Sequence, residues 1–133
     1  MTKGPSTKMS AYAEMMGIKY ISIAKDKVVI EMPIREDMAN LNGTAHGGAI
    51  LSLADHIAGM GARQNIGEKH STVTVESKTN FFAIIPIGDV AHAETTPLHV
   101  GRTTSVWLTR ITRGDGRVAA VTTQTQLVIE PKG

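Results

Sequence analysis

The sequence predicts an α+β fold, an antiparallel β-sheet wrapped around one long central helix at about residues 47–63. Three observations predict it. Apolar residues repeat at long-helix spacing in one place, at Ile50, Leu53, Ala54, Ile57 and Gly61. Two short β-type runs joined by a tight turn precede that stripe, and four longer runs rich in Val, Thr and Ile follow it. The 133 residues suffice for one domain with a real core, read as 1–133, and the helix has only the sheet to pack against.

Taken in order, Met9, Tyr12, Ala13 and Met16 fall at helical spacing. They predict a short covering helix from about Ser6 to Met16, stopped by Gly17. Ile18 to Ala24 reads as a strand with Ile21 and Ile23 on one face and Tyr20 and Ser22 on the other. Lys25-Asp26-Lys27 turns the chain, Val28 to Met32 returns it, and Pro33 ends that strand. Arg35 to Ala45 is a polar loop. In the long helix Leu51, Ala58 and Met60 add to the stripe, so little of its surface is expected to face water. Asn65-Ile66-Gly67 closes it. Ser71 to Ala83, Asp89 to Thr95, Arg102 to Thr112 and Val118 to Ile129 then read as strands. Turns at Pro86–Gly88, Pro97–Gly101 and Arg113–Gly116 separate them, which predicts an antiparallel meander.

Composition excludes several function classes. Hydrophobic residues make up 41% and charged residues 20%, the balance of an ordinary globular protein. The net charge is only +2, from 14 Lys and Arg against 12 Asp and Glu, and aromatics are 4%. Neither a basic face nor stacking side chains call for nucleic acid. No apolar run is long enough to span a bilayer, and the opening Met1-Thr-Lys-Gly-Pro-Ser6 lacks the apolar core of a signal peptide. There is no cysteine, so disulfides, thiolate nucleophiles and cysteine-based metal sites are absent. This is compatible with a reducing cytoplasm, the expected location. The histidines at 46, 56, 70, 92 and 99 have no metal-ligand spacing, and no metal or other cofactor is expected.

The chemistry concentrates in Asn40-Leu-Asn-Gly-Thr-Ala-His46-Gly47-Gly48 and the helix it opens. A glycine-bearing loop at a helix N-terminus presents unpaired backbone N–H groups to negative charge. Gly47 and Gly48 let a ligand approach the backbone closely. Asp55, among apolar neighbours on the helix, is a costly carboxylate unless it is paired or used. Taken singly, His46 reads as a helix cap, Asn40 as a turn residue and Thr74 as a strand former. His56 points about 100° away from Asp55 around the helix, so the two do not form a dyad; it reads as pocket lining or subunit packing.

The segment Asn40-x-x-Gly43-x-x-His46-Gly47-Gly48, with Asp55 along the helix, resembles the acyl-CoA thioesterases of the hotdog superfamily. It is most similar to the phenylacetyl-CoA thioesterase-like (PaaI-type) subgroup. Thr74-Val-Glu-Ser-Lys-Thr-Asn-Phe81-Phe82, Pro86-x-Gly88 and Val100-Gly101-Arg102 extend the likeness over roughly Asn40 to Val128. The resemblance implies a hotdog fold and hydrolysis of an acyl- or aroyl-CoA to the free acid and CoA. It implies Asp55 as general base or nucleophile and the Gly47 N–H as oxyanion donor. His46 and Asn40 would orient the thioester or the attacking water, and Thr74 would hold that water near the acid. Gly48, Gly101, Arg102 and Thr103 become candidate contacts to CoA, although alone Arg102 reads as a solvated surface residue. Leu51, Met60, Phe81 and Phe82 can line an acyl pocket or simply fill the core.

Gly47 and Asp55 are eight residues apart, roughly 12 Å along a helix. One helix is therefore not expected to offer both to one carbonyl. Two subunits paired antiparallel would share two sites, as the hotdog family does, and such dimers often pair into tetramers. Two other classes remain open: a hotdog protein that binds acyl-CoA without turnover, and a hotdog dehydratase or hydratase.

Overall fold

The computed structural model describes residues 7–132. A short helix α1 (Ala11–Met16) leads into a hairpin of β1 (Lys19–Ile23) and β2 (Val28–Pro33). The long helix α2 (Gly47–Arg63) follows, then β3 (Ser71–Phe81), β4 (Val90–Val100), β5 (Thr104–Thr112) and β6 (Val118–Ile129). Ser10 caps α1, and Gly17 ends it in the left-handed conformation at φ 76°. The expected start near Ser6 is corrected: Ser6 lies outside the described residues, residues 7–10 are not helical, and the helix begins at Ala11 behind its Ser10 cap.

All six strands form one antiparallel sheet in the order β1-β2-β4-β5-β6-β3. The meander expectation holds only for β4, β5 and β6. Strand β3 pairs not with the next strand but with the last, and β2 fills the vacated place beside β4. The cause is α2, which packs against β2, β3, β4, β5 and β6 and must be crossed between β2 and β3. Strand β3 is thereby an edge, opposite β1.

The predicted stripe of α2 faces the sheet. Leu53, Ala54 and Ile57 have no exposed surface, and each large side chain so buried contributes about 1.5–3 kcal/mol. The expectation that α2 is buried nearly all round is corrected: Leu51 is 43% exposed and Asp55 is exposed in the single chain. Gly61 lies against the buried Trp107, whose Nε1–H donates to Ser105 Oγ at 2.9 Å.

Bulges correct the strand readings. The register of β1 shifts between Tyr20 and Ser22, so Tyr20 and Ile23 pack on the core while Ile21 is 53% exposed. Strand β4 runs on through the expected turn at Pro97, with a shift between Pro97 and His99, and leaves only Gly101–Thr103 as the connection to β5. In β3 the shift falls between Thr74 and Glu76. Thr74 and Phe81 are seven residues apart and would sit on opposite faces of a regular strand. The extra residue puts both on the face toward α2: Thr74 reaches Asp55 and Phe81 lies beside Gly47.

Candidate active site

The loop entering α2 is built by Asn40. Its Oδ1 accepts from Asn42 N–H at 2.9 Å and Thr44 N–H at 3.1 Å, and its Nδ2 donates to Thr44 Oγ1 at 3.0 Å. This is an Asx turn closed on itself, with Gly43 at φ 75°. The loop is pinned to the sheet end by Ala45 N–H donating to Ile85 O at 2.9 Å. His46 then caps the helix, its Nδ1 accepting from Gly48 N–H at 2.8 Å. The ring leans on Gly48, where a β-carbon would come within 3.0 Å of Nδ1. Among the described residues the N–H of Gly47, the first residue of the helix, has no hydrogen-bond acceptor.

That N–H borders a cavity of about 400 Å³ lined by Asn40, Ile50, Phe81, Phe82 and Ile84 among others. Its wall is mostly apolar. Two turns down the helix, Asp55 borders a second cavity of about 360 Å³, with Lys8, His56, Arg63, Thr72, Thr74 and Gln126. One chain therefore presents Gly47 and Asp55 to different spaces.

Asp55 is held from β3 and β6. Thr74 donates its hydroxyl to Asp55 Oδ1 at 2.8 Å, and Gln124 Nε2 donates to the same oxygen at 3.1 Å. Gln124 Nε2 also reaches Thr74 Oγ1 at 3.2 Å, and Gln126 Nε2 donates to Thr74 Oγ1 at 2.7 Å. Thr72 in turn donates to Gln126 Oε1 at 2.9 Å. Gln124 is fully buried, and its Oε1 has no partner among the described residues. Turned over, that oxygen would face the carboxylate, so the amide orientation is forced by charge. An unmet buried acceptor costs about 1–3 kcal/mol, which marks this glutamine as a poor choice for packing alone.

His56 lines the same cavity. Its Nε2 lies 3.0 Å from the Tyr20 hydroxyl, and the two rings stack at 5.9 Å. Burial pushes the imidazole below its ordinary pKa, against the pull of the nearby Asp55 charge. Burial likewise raises the Tyr20 phenol, with Arg63 pulling the other way.

The remaining candidates lie at the far end of the sheet. Gly101, Arg102 and Thr103 form the β4–β5 connection, with the Arg102 and Thr103 side chains exposed. Thr103 O accepts from Val128 N–H at 2.8 Å, and Val128 pairs with Thr72 of the Asp55 cavity. No helix among the described residues is long and apolar enough to cross a membrane. Among them, no three His, Asp or Glu residues are gathered to hold a metal ion.

The sequence reading missed Gln124, Gln126, Lys8 and Arg63. Its available signal was period-two spacing: Ala120, Thr122, Gln124 and Gln126 share the buried face of β6. Two glutamines on an otherwise core-facing row mark that face as polar for a reason.

The sequence profile of the Thioesterase superfamily matches residues 42–120, from the Asx loop to the middle of the sheet. The chain belongs to that superfamily. It is 32% identical over 99 residues to the 1,4-dihydroxy-2-naphthoyl-CoA hydrolase of Listeria monocytogenes, covering 74% of this chain and 80% of that one. It shares the hotdog fold of the Escherichia coli PaaI protein, with a TM-score of 0.86 at 24% identity over 92% of this chain and 87% of that one. A Streptococcus mutans protein bound to acetyl CoA superposes with a TM-score of 0.79 at 28% identity, covering 86% of this chain and 91% of that one.

Proposed function

We propose that the chain hydrolyses an acyl-CoA or aroyl-CoA thioester to the free carboxylic acid and CoA, in sites shared between two subunits. One observation carries the shared site: Gly47 and Asp55 of one chain open on different cavities. In an antiparallel pair, Gly47 of one subunit meets Asp55 of the other across one thioester. The unpaired Gly47 N–H, at the positive end of α2, stabilises the oxyanion as the carbonyl is attacked. Asp55 supplies the attack, either by taking a proton from water or by bonding to the carbonyl carbon itself. The apolar cavity around Ile50, Phe81 and Phe82 takes the acyl group. The edge position of β3, with Val73 and Val75 exposed, supports a second copy at that edge. Lys8 and Arg63 beside Asp55, with Arg102 beyond, provide positive charge for the CoA phosphates.

The test is release of free thiol from a panel of acyl- and aroyl-CoAs by the wild type and a folded Asp55→Ala variant. Turnover by the wild type, lost in the variant, supports the reading. Tight binding of the esters without release makes the protein a carrier of acyl-CoA. Hydration of an enoyl-CoA without free CoA makes it a lyase. In single turnover in oxygen-18 water, label entering the Asp55 carboxylate assigns it as nucleophile.

A further inference from the structure

The hydrogen bonds behind Asp55 all run one way. Thr72 donates to Gln126 Oε1, Gln126 Nε2 donates to Thr74 Oγ1, and Thr74 donates to Asp55 Oδ1. A threonine hydroxyl has one hydrogen. Because Thr74 Oγ1 already accepts from Gln126 at 2.7 Å and Gln124 at 3.2 Å, its own hydrogen is left for Asp55. Both donors to the carboxylate, Thr74 and Gln124, meet at Oδ1. Among the described residues nothing bonds Oδ2. Gln124 and Gln126 are 0% and 1% exposed, so water does not compete for either amide.

We infer that Gln124 and Gln126 are positioning residues for catalysis: they fix the direction of the Thr74 hydroxyl, which pins Asp55 Oδ1 and leaves Oδ2 as the oxygen that does the chemistry. The inference rests on the thioesterase reading above. Both glutamines are buried and bond the Thr74 hydroxyl. They act through Thr74, whose hydroxyl could otherwise turn and compete for the attacking water. The β-bulge after Thr74 belongs to the same device, since it sets Thr72 and Thr74 opposite Val128 and Gln126 while Ser77 takes the place opposite Gln124.

The polarity of the relay gives a test that shape alone would not pass. Gln126→Glu keeps the size of the side chain but turns the donor at Thr74 into an acceptor. The Thr74 hydroxyl then swings to the new carboxylate and away from Asp55. The expected result on an acyl-CoA that the wild type turns over is a fall in kcat of about tenfold or more, with KM within about threefold, the pattern of an interaction used in the chemical step. Gln126→Met, which removes the donor without adding a charge, should lower kcat less. Should Gln126→Glu not fold, Gln126→Met alone carries the test in the same way. In a Thr74→Val background the relay is already cut, so either Gln126 substitution should change kcat by no more than about twofold.

Substitutions at Gln126 and Thr74 whose effects multiply in the double variant overturn the relay, as do variants with wild-type kcat. If Asp55→Ala is inactive while the Gln126 and Thr74 variants turn over normally, the hydrolase reading stands and the relay falls. If Asp55→Ala keeps full activity, the role given to Asp55 falls and the relay falls with it.

Discussion

The indole of Trp107 lies against Gly61, so near that a β-carbon on residue 61 would sit 2.7 Å from Cζ3. An alanine normally stabilises a helix interior by about 1 kcal/mol over glycine. Here the clash decides the sign. Gly61→Ala should destabilise by about 1–3 kcal/mol, the usual cost of overpacking, while Gly59→Ala on the same helix meets no atom within 4 Å and should stabilise slightly. Urea unfolding midpoints of the two variants check this; a Gly61→Ala midpoint at or above wild type refutes it.

His46 holds the start of α2 through Gly48 N–H. His46→Ala should cost about 1 kcal/mol of stability, and His46→Asn, a good capping side chain, should recover most of it. Activity and stability then separate. An asparagine variant that is stable yet slow assigns His46 a role in the reaction besides capping, and one with wild-type turnover leaves it as a cap.

Gly47 occupies the first position of α2, where proline fits a helix, and His46 before it has ψ 137°, the backbone that a following proline requires. Gly47→Pro therefore removes the N–H without breaking the helix, and sets its ring against Phe81 at ordinary contact distance. It should lower kcat by about a hundredfold or more, as loss of an oxyanion donor does. Mixed one to one with Asp55→Ala, half of the dimers are hybrids with one intact site in two. Turnover should return to about a quarter of wild type. Verified subunit exchange without recovery rules out the shared site.

Burial holds the His56 imidazole below its ordinary pKa, so the unfolded chain binds a proton more readily than the folded one. The neutral ring's contribution to stability is present above the unfolded value near 6.5 and is lost as pH falls through the folded value. Tyr20, Asp55 and Arg63 are the groups that face it. His56→Gln should flatten the fall in stability between about pH 7.5 and 5.5, measured as the difference from wild type in urea midpoint at each pH. An unchanged slope shows that His56 is not what the acid acts on.

Much of this fold was legible because its signals are local. The bounds of α2 follow from His46-Gly47-Gly48 at one end and the run of apolar spacing to Arg63, and both appear as read. The thioesterase motif needed only residues close in sequence. What escaped was parity and partnership. A bulge costs one residue and leaves no compositional mark, yet at Ile21 and between Thr74 and Glu76 it turned side chains to the opposite face. The pairing of β3 with β6 is a property of the crossing over α2, which no strand states by itself. Gln124 and Gln126 gain their meaning from Asp55, which lies 69 residues before Gln124.

That pairing also sets an order of events on the ribosome. Strand β3 carries Thr74 and leaves the tunnel before β4, yet among the described residues its one neighbour in the sheet is β6, the last of their strands to be made. Until Val118–Ile129 has emerged, the β3 edge and the acid side of the site wait unpaired on a nascent chain. Closure of this protein is a late, long-range event of the kind that slows folding and exposes sticky strands. A chain stopped before β6 has the Asn40–Asp55 motif complete in sequence and nothing to hold it.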